Sequence, residues 1–201
     1  MKPVAAVVLA VVAFTSGCAA GGGAQGNPPL PECEWCGAPE APAGLTATLI
    51  MPTRGEAGER LIVEGTVYRP DGTPAPGVLL YAYQTNAGGV YAKRGNETGN
   101  GRRHGYLRGW LRTGADGKYR IETIKPGSYP SRSEPAHIHM TLQPPGEPER
   151  YIDDVVFEGD PLLTPEHRAR LRQRGGSGIV PLERNADGTL RVTRDIHLGR
   201  Q

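Results

Sequence analysis

Net charge of either sign is nearly absent from this chain: 23 basic residues against 21 acidic ones leave +2 at pH 7. The basic residues are interleaved with acids and form no stripe, which argues against a nucleic-acid partner. Charged residues make up only 22% of the chain, while glycine (29) and proline (19) abound. That balance disfavours a helical bundle and favours a loop-rich β protein. Cysteine is scarce, with three in total. Cys33-Glu34-Trp35-Cys36 is a CxxC pair with no second CxxC and no βαβ surroundings. Neither a zinc ribbon nor a thioredoxin-type centre is therefore supported, and a small structural disulfide in an oxidising compartment is the expectation. The long apolar run of a membrane span is lacking: Val4 to Phe14 is too short to cross a bilayer as a helix. No repeat at a solenoid period is visible.

That short apolar run follows Met1-Lys2 and leads to Thr15-Ser16-Gly17-Cys18. This looks like a signal peptide over residues 1–18 ending in a bacterial lipobox, with Cys18 as the lipidated residue; plain secretory cleavage nearby is the alternative, and both export the protein. The expectation is an exported protein facing the periplasm or cell exterior, in contact with the membrane only through a lipid on Cys18. Residues 19–44, with Gly21-Gly22-Gly23 and Pro28-Pro29, read as a flexible linker carrying the CxxC pair. Residues 45–201 are long enough for one domain with a sizeable core.

Within that domain, short apolar or alternating runs are separated by turn residues. Strands are predicted over Leu61 to Tyr68, Val78 to Tyr83, Lys118 to Ile124, Ala136 to Leu142, Tyr151 to Phe157 and Thr189 to Ile196. The second is apolar enough to be buried on both sides. Turns at Asp71-Gly72, Asp116-Gly117 and Asp187-Gly188 complete the pattern of an all-β antiparallel sandwich with long loops. One short helix is predicted over Pro165 to Gln173, with Thr164 as its N-cap.

The candidate chemistry lies in four residues. His137 and His139 are two apart on a predicted strand, so both imidazoles leave the same face. Tyr129 sits in a loop stiffened by Pro126 and Pro130, and Tyr91 follows Gly88-Gly89, where the backbone can turn sharply. Phenolate oxygen with imidazole nitrogen suits a hard ion such as Fe(III) better than zinc. Taken singly, each residue also has an ordinary structural reading, with tyrosines filling sandwich edges and an HxH pair arising by chance.

The order and setting of these pieces resemble the intradiol ring-cleavage dioxygenases, the family of catechol and protocatechuate dioxygenases. The resemblance runs from Gly65 to Leu163 and rests on Gly88-Gly89-Val90-Tyr91, Leu107-Arg108-Gly109, Asp116-Gly117-Lys118-Tyr119, Thr123 to Pro130, Pro135-Ala136-His137-Ile138-His139 and Phe157 to Leu162. It implies a mononuclear non-haem Fe(III) held by Tyr91, Tyr129, His137 and His139. It implies further that a catecholic substrate displaces Tyr129, which takes up a substrate proton, and that O2 opens the ring between its two hydroxylated carbons to give a muconate-type diacid. The family's arginine three residues before the first histidine is replaced by Glu134. Arg132, two residues away, is the candidate to stand in for it, so Tyr129 and Arg132 are the expected catalytic groups. Two alternatives stay open. Gly65 to Gly77 also looks like the opening of a transthyretin-like β-sandwich binding module, and Glu134 is compatible with a degenerate dioxygenase that binds iron without turnover. A zinc hydrolase built on the HxH pair lacks a carboxylate ligand motif. Of the remaining candidates, His104 reads as part of a solvated loop or the rim of a substrate mouth, His167 as exposed on the helix, and Arg108 as either a substrate contact or a structural ion pair. His197 has no predicted partner, and the oligomeric state is open.

Overall fold

The computed structural model describes Met1, residues 30–53 and residues 55–200. The expected signal segment, Cys18 and the start of the linker lie outside the described residues, apart from Met1. The chain forms β1 (Thr48–Ile50), β2 (Arg60–Tyr68), β3 (Leu79–Gln84), the short helix α1 (Gly101–His104), β4 (Arg108–Arg112), β5 (Lys118–Ile124), β6 (His137–Gln143), β7 (Arg150–Phe157), the helix α2 (Pro165–Arg170), β8 (Ile179–Val180), β9 (Glu183–Arg184), β10 (Leu190–Thr193) and β11 (Ile196–His197). Among the described residues no helix is long and apolar enough to cross a membrane.

Two sheets face each other. One runs β1-β5-β2-β10-β9, with β11 continuing alongside β2, and the other runs β4-β3-β6-β7-β8. The all-β sandwich is as expected, but the sheets are mixed and not wholly antiparallel: β1–β5, β2–β10, β2–β11 and β7–β8 pair in parallel. In each case a short strand joins an edge after a long connection, and such connections are free to return in either direction. The predicted strand Thr189 to Ile196 is broken in two. Between the halves Arg194 turns its buried side chain inward to the carbonyls of Asp153 and Ser177, and its own carbonyl accepts the Tyr119 hydroxyl. The helix after Pro165 stops at Arg170, three residues short of expectation. Thr164 caps it, its side chain accepting from the His167 backbone N–H at 3.2 Å.

The core lies between the sheets, with Leu61, Val63, Val67 and Ile121 meeting Leu80, Ala82, Ile138, Met140, Leu142 and Phe157. Each of the larger side chains among these contributes about 1.5–3 kcal/mol by burial. This sets the strand register: a one-residue slip of β6 would pull Ile138, Met140 and Leu142 out of the core and push both histidines in. His137, His139, Tyr81 and Tyr83 therefore stand on the outer face of the second sheet.

That outer face is covered, which is why every residue of β3 is buried. Residues 31–40, expected from composition to belong to a flexible linker, lie across it. Asn100 donates to the carbonyls of Cys33 (2.7 Å) and Cys36 (2.8 Å), Arg103 to Pro31 (2.8 Å) and the Trp110 indole to Gly37 (2.7 Å). The Glu149 carboxylate accepts from the backbone N–H groups of Gly37 and Ala38, and Arg108 pairs with Glu40 at 3.0 Å. The expected Cys33–Cys36 disulfide is present, with Cα atoms 5.4 Å apart.

Candidate metal centre

Two loops and one strand converge on the outer face. The loop after β3 presents Tyr91, the loop before β6 presents Tyr129, and β6 itself presents His137 and His139. The loops touch backbone to backbone: a Cβ placed on Gly89 would lie 1.9 Å from the Ser128 carbonyl oxygen, and one on Gly127 would lie 2.3 Å from the Ala87 carbonyl oxygen. Gly89 also holds φ at +77°, where a side chain is strained. These two glycines let the tyrosines approach until their hydroxyl oxygens are 2.8 Å apart.

The two hydroxyls and two ring nitrogens form one cluster. Tyr129 Oη lies 3.1 Å from His137 Nε2 and 3.3 Å from His139 Nε2, Tyr91 Oη lies 2.9 Å from His139 Nε2, and the two Nε2 atoms are 3.0 Å apart. Proton counting shows what this arrangement demands. His137 Nδ1 is 2.7 Å from the Pro135 carbonyl, which only accepts, so Nδ1 carries the proton and Nε2 a lone pair. His139 Nδ1 faces the Asp154 carboxylate at 3.0 Å, with the same consequence. Two phenolic protons remain for five close contacts, leaving lone pair against lone pair. A cation at the centre removes that repulsion, and the donor set of two phenols and two imidazoles fits a hard, highly charged one. Burial pushes the Tyr91 and Tyr129 hydroxyls above their ordinary range; for Tyr129 the hydrogen bond with Tyr91 opposes that shift, and the charges of Asp154 and Glu134 add to it. Burial also holds His137 below its ordinary value. The two phenols are thus held in their protonated form, and their ionisation depends on an added positive charge.

Asp154 was not foreseen. Its carboxylate, with His137 and His139, forms a trio of metal-type ligand atoms within 4.8 Å of one another. It nevertheless faces the back of the His139 ring, where it also takes the Tyr151 hydroxyl, so its role is to fix the tautomer and orientation of His139. A bulge in β7 puts it there. Ile138 pairs with Val155 and Met140 with Ile152, so that Asp153 and Asp154 together oppose His139. Asp153 takes Arg174 and the Gln173 N–H, and Asp154 takes His139. The signal in the sequence is two adjacent acids inside an otherwise apolar strand. Tyr83 was missed too, and its ring stacks on His139 with centroids 4.5 Å apart.

A cavity of about 170 Å³ opens beside the cluster, lined by Tyr129, Glu134, His137, Val156, His167 and Leu171 among others. Arg132 does not line it. The residue is exposed at φ +54°, its backbone N–H bonded to the Tyr129 carbonyl, because the chain turns outward at that point. Glu134 is at the wall and paired, 3.2 Å from His167 Nδ1 and 4.0 Å from Arg170. His167, expected on an exposed helix face, is buried by this packing. His104 is also buried and not in a solvated loop. Its Nε2–H donates to the Glu34 carbonyl at 2.8 Å, its Nδ1 accepts the Tyr81 hydroxyl at 2.7 Å, and its ring stacks on Tyr83. Arg108 is a structural ion pair, and His197 stacks on Tyr68.

The family model described as dioxygenase matches residues 39–175. The chain is 36% identical over 112 residues to the protocatechuate 3,4-dioxygenase beta chain of Burkholderia cepacia, covering 53% of this chain and 48% of that protein. It is 30% identical over 162 residues to a 6-chlorohydroxyquinol 1,2-dioxygenase of Cupriavidus pinatubonensis, covering 72% of this chain and 55% of that one. The chain thus spans about half the length of these relatives. Its fold is similar to the dioxygenase domain of a dioxygenase–carbohydrate-binding protein fusion from a cellulolytic Streptomyces species. In that comparison the TM-score is 0.60 at 28% identity, over 86% of this chain and 97% of that one. The motifs around the two tyrosines and two histidines, their convergence on one face of the sandwich and these matches establish that the chain belongs to the intradiol ring-cleavage dioxygenase family.

Proposed function

We propose that this protein is a non-haem iron dioxygenase that opens a catecholic ring between its two hydroxylated carbons, consuming O2 and yielding a muconate-type diacid. The observation that carries the reading is the cluster of Tyr91, Tyr129, His137 and His139, whose five contacts of 2.8–3.3 Å outnumber the protons available to them. These four residues would hold Fe(III). Bound there, the ion would supply Lewis acidity that lowers the pKa of the oxygens attached to it.

The rest of the chemistry falls to the chain. Pro135 and Asp154 lock the two imidazoles with Nε2 forward. Tyr129 alone of the two tyrosines lines the cavity, so its oxygen is the one placed to accept a proton from an arriving catechol hydroxyl. The cavity, at about 170 Å³, is smaller than the roughly 300–1,000 Å³ typical of pockets for drug-sized ligands and suits a single ring. We place the protein outside the cytoplasm, a reading supported by the apolar segment Val4 to Phe14 ahead of Cys18 and by the Cys33–Cys36 disulfide.

Iron loading tests the centre. The loaded protein should absorb strongly in the visible from tyrosinate-to-iron charge transfer, and Tyr91→Phe and Tyr129→Phe should each change that spectrum. A colourless protein with stoichiometric iron would sink the ligand set. Oxygen uptake and muconate absorbance across catechol, protocatechuate and hydroxyquinol then test turnover. A coloured protein that binds these compounds and consumes no oxygen would leave iron binding without catalysis.

A further inference from the structure

The cavity beside the metal ligands is not lined by neutral groups alone. Glu134 lines it, with a side chain 42% exposed, and His167 lies beside it at 3.2 Å. The nearest counter-charge is Arg170, which lies 4.0 Å from Glu134, is 65% exposed and does not line the cavity. Arg170 also donates to His167 Nδ1 at 3.0 Å, so that nitrogen presents a lone pair, and Arg170 is the cation that Glu134 faces. Arg132 is exposed on the same loop and likewise lines no part of the cavity. The other carboxylate that lines the cavity, Asp154, is already taken by His139 and the Tyr151 hydroxyl, which leaves Glu134 as the one without a hydrogen-bonded donor of that kind. The cavity beside Tyr129 and His137 thus offers Val156 and Leu171 as apolar lining and the Glu134 carboxylate as polar lining.

We propose that Glu134 determines ring specificity by favouring catechols with a cationic or hydrogen-bond-donating ring substituent and disfavouring those with a carboxylate. The inference rests on the catechol reading of the site and assigns its substrate class. A carboxylated ring brings a second negative charge to a wall that already holds one, in a partly desolvated cavity where like charges are poorly screened. An ammonium or hydroxyl substituent finds an acceptor there, a contact strengthened by the charge of the carboxylate.

The experiment measures binding. Iron-loaded full-length protein is titrated with catechol, 3,4-dihydroxybenzylamine and 3,4-dihydroxybenzoate, and Kd is read from the shift of the visible charge-transfer band. Wild type should bind the benzylamine most tightly and the benzoate least. Glu134→Gln, isosteric at a partly exposed position, should narrow the benzoate-to-benzylamine affinity ratio on the order of tenfold, the scale of one like-charge interaction at such a site. Glu134→Lys should reverse the order. Equal ratios in wild type and both variants, with all three compounds still shifting the band, would overturn the Glu134 assignment and leave the catechol reading intact. Failure of all three to shift the band would overturn that reading and this inference with it.

Discussion

Asp154 Oδ1 lies 3.0 Å from His139 Nδ1, on the side of the imidazole opposite the nitrogen that faces Tyr91. Burial pushes the Asp154 carboxyl up, but its contacts with His139 and Tyr151 outweigh that effect and hold it below the ordinary carboxylate range. It therefore stays ionised and fixes the His139 proton on Nδ1. Asp154→Ala should weaken iron binding about 10–100-fold, the usual consequence of losing a partner behind a ligating histidine. Asp154→Asn, which keeps an acceptor oxygen, should lose less. Competition with a chelator of known affinity reads both, and an unchanged affinity in the alanine variant would remove Asp154 from the site.

The close approach of the two tyrosine loops gives a second prediction. Gly89→Ala places a methyl carbon against the Ser128 carbonyl and strains a left-handed residue, the latter alone costing about 1–2 kcal/mol. The loops must part, and with them the Tyr91 and Tyr129 hydroxyls. Visible absorption of the iron-loaded variant should fall severalfold, while the protein still melts cooperatively. Retention of the full wild-type spectrum would show that the tyrosines reach the ion without this contact.

Acid stability follows from His104. Burial holds its pKa at about 4, below the ordinary histidine value of 6.5, and the Tyr81 and Glu34 contacts suit the neutral ring. Between those two values the unfolded chain binds a proton that the folded chain refuses. Stability therefore rises with pH across the window and is lost as pH falls from about 6.5 toward 4. The loss attributable to this one group is of order 3 kcal/mol. Denaturant melts from pH 7 to pH 4 should show it, and His104→Gln should flatten that part of the curve. A variant with the same pH slope as wild type would assign the acid sensitivity to other groups.

The four cluster residues were legible because each carries its own local marker: a glycine pair, a proline-stiffened loop, an alternating strand. The apolar half of that alternation, Ile138 and Met140, also revealed which face the histidines take. Asp154 was not legible in the same way. Strict alternation does not tell which of Asp153 and Asp154 faces His139, and only the bulge decides it. His104 and His167 were misplaced because both sit in polar, arginine-rich stretches that look solvated. What buries them is tertiary: the 31–40 segment over His104, and the cavity wall around His167. The hold on that segment was hidden as well, since Asn100, Arg103 and Trp110 donate to backbone carbonyls, an acceptor that every residue offers.

The parallel pairing of β2 with β10 and β11 bears on how the protein is made. Leu61 to Glu64 find their partners at Leu190 to Thr193, and Val67 and Tyr68 find theirs at Ile196 and His197. Almost the whole domain is synthesised between the two sides of that seam. Pairing across so long a stretch is slow to form. Throughout the interval one edge of β2, with Leu61, Val63 and Val67 beside it, is an open template for wrong partners. Nascent chains that stall before residue 190 should accordingly be far more prone to aggregate than chains released after 197.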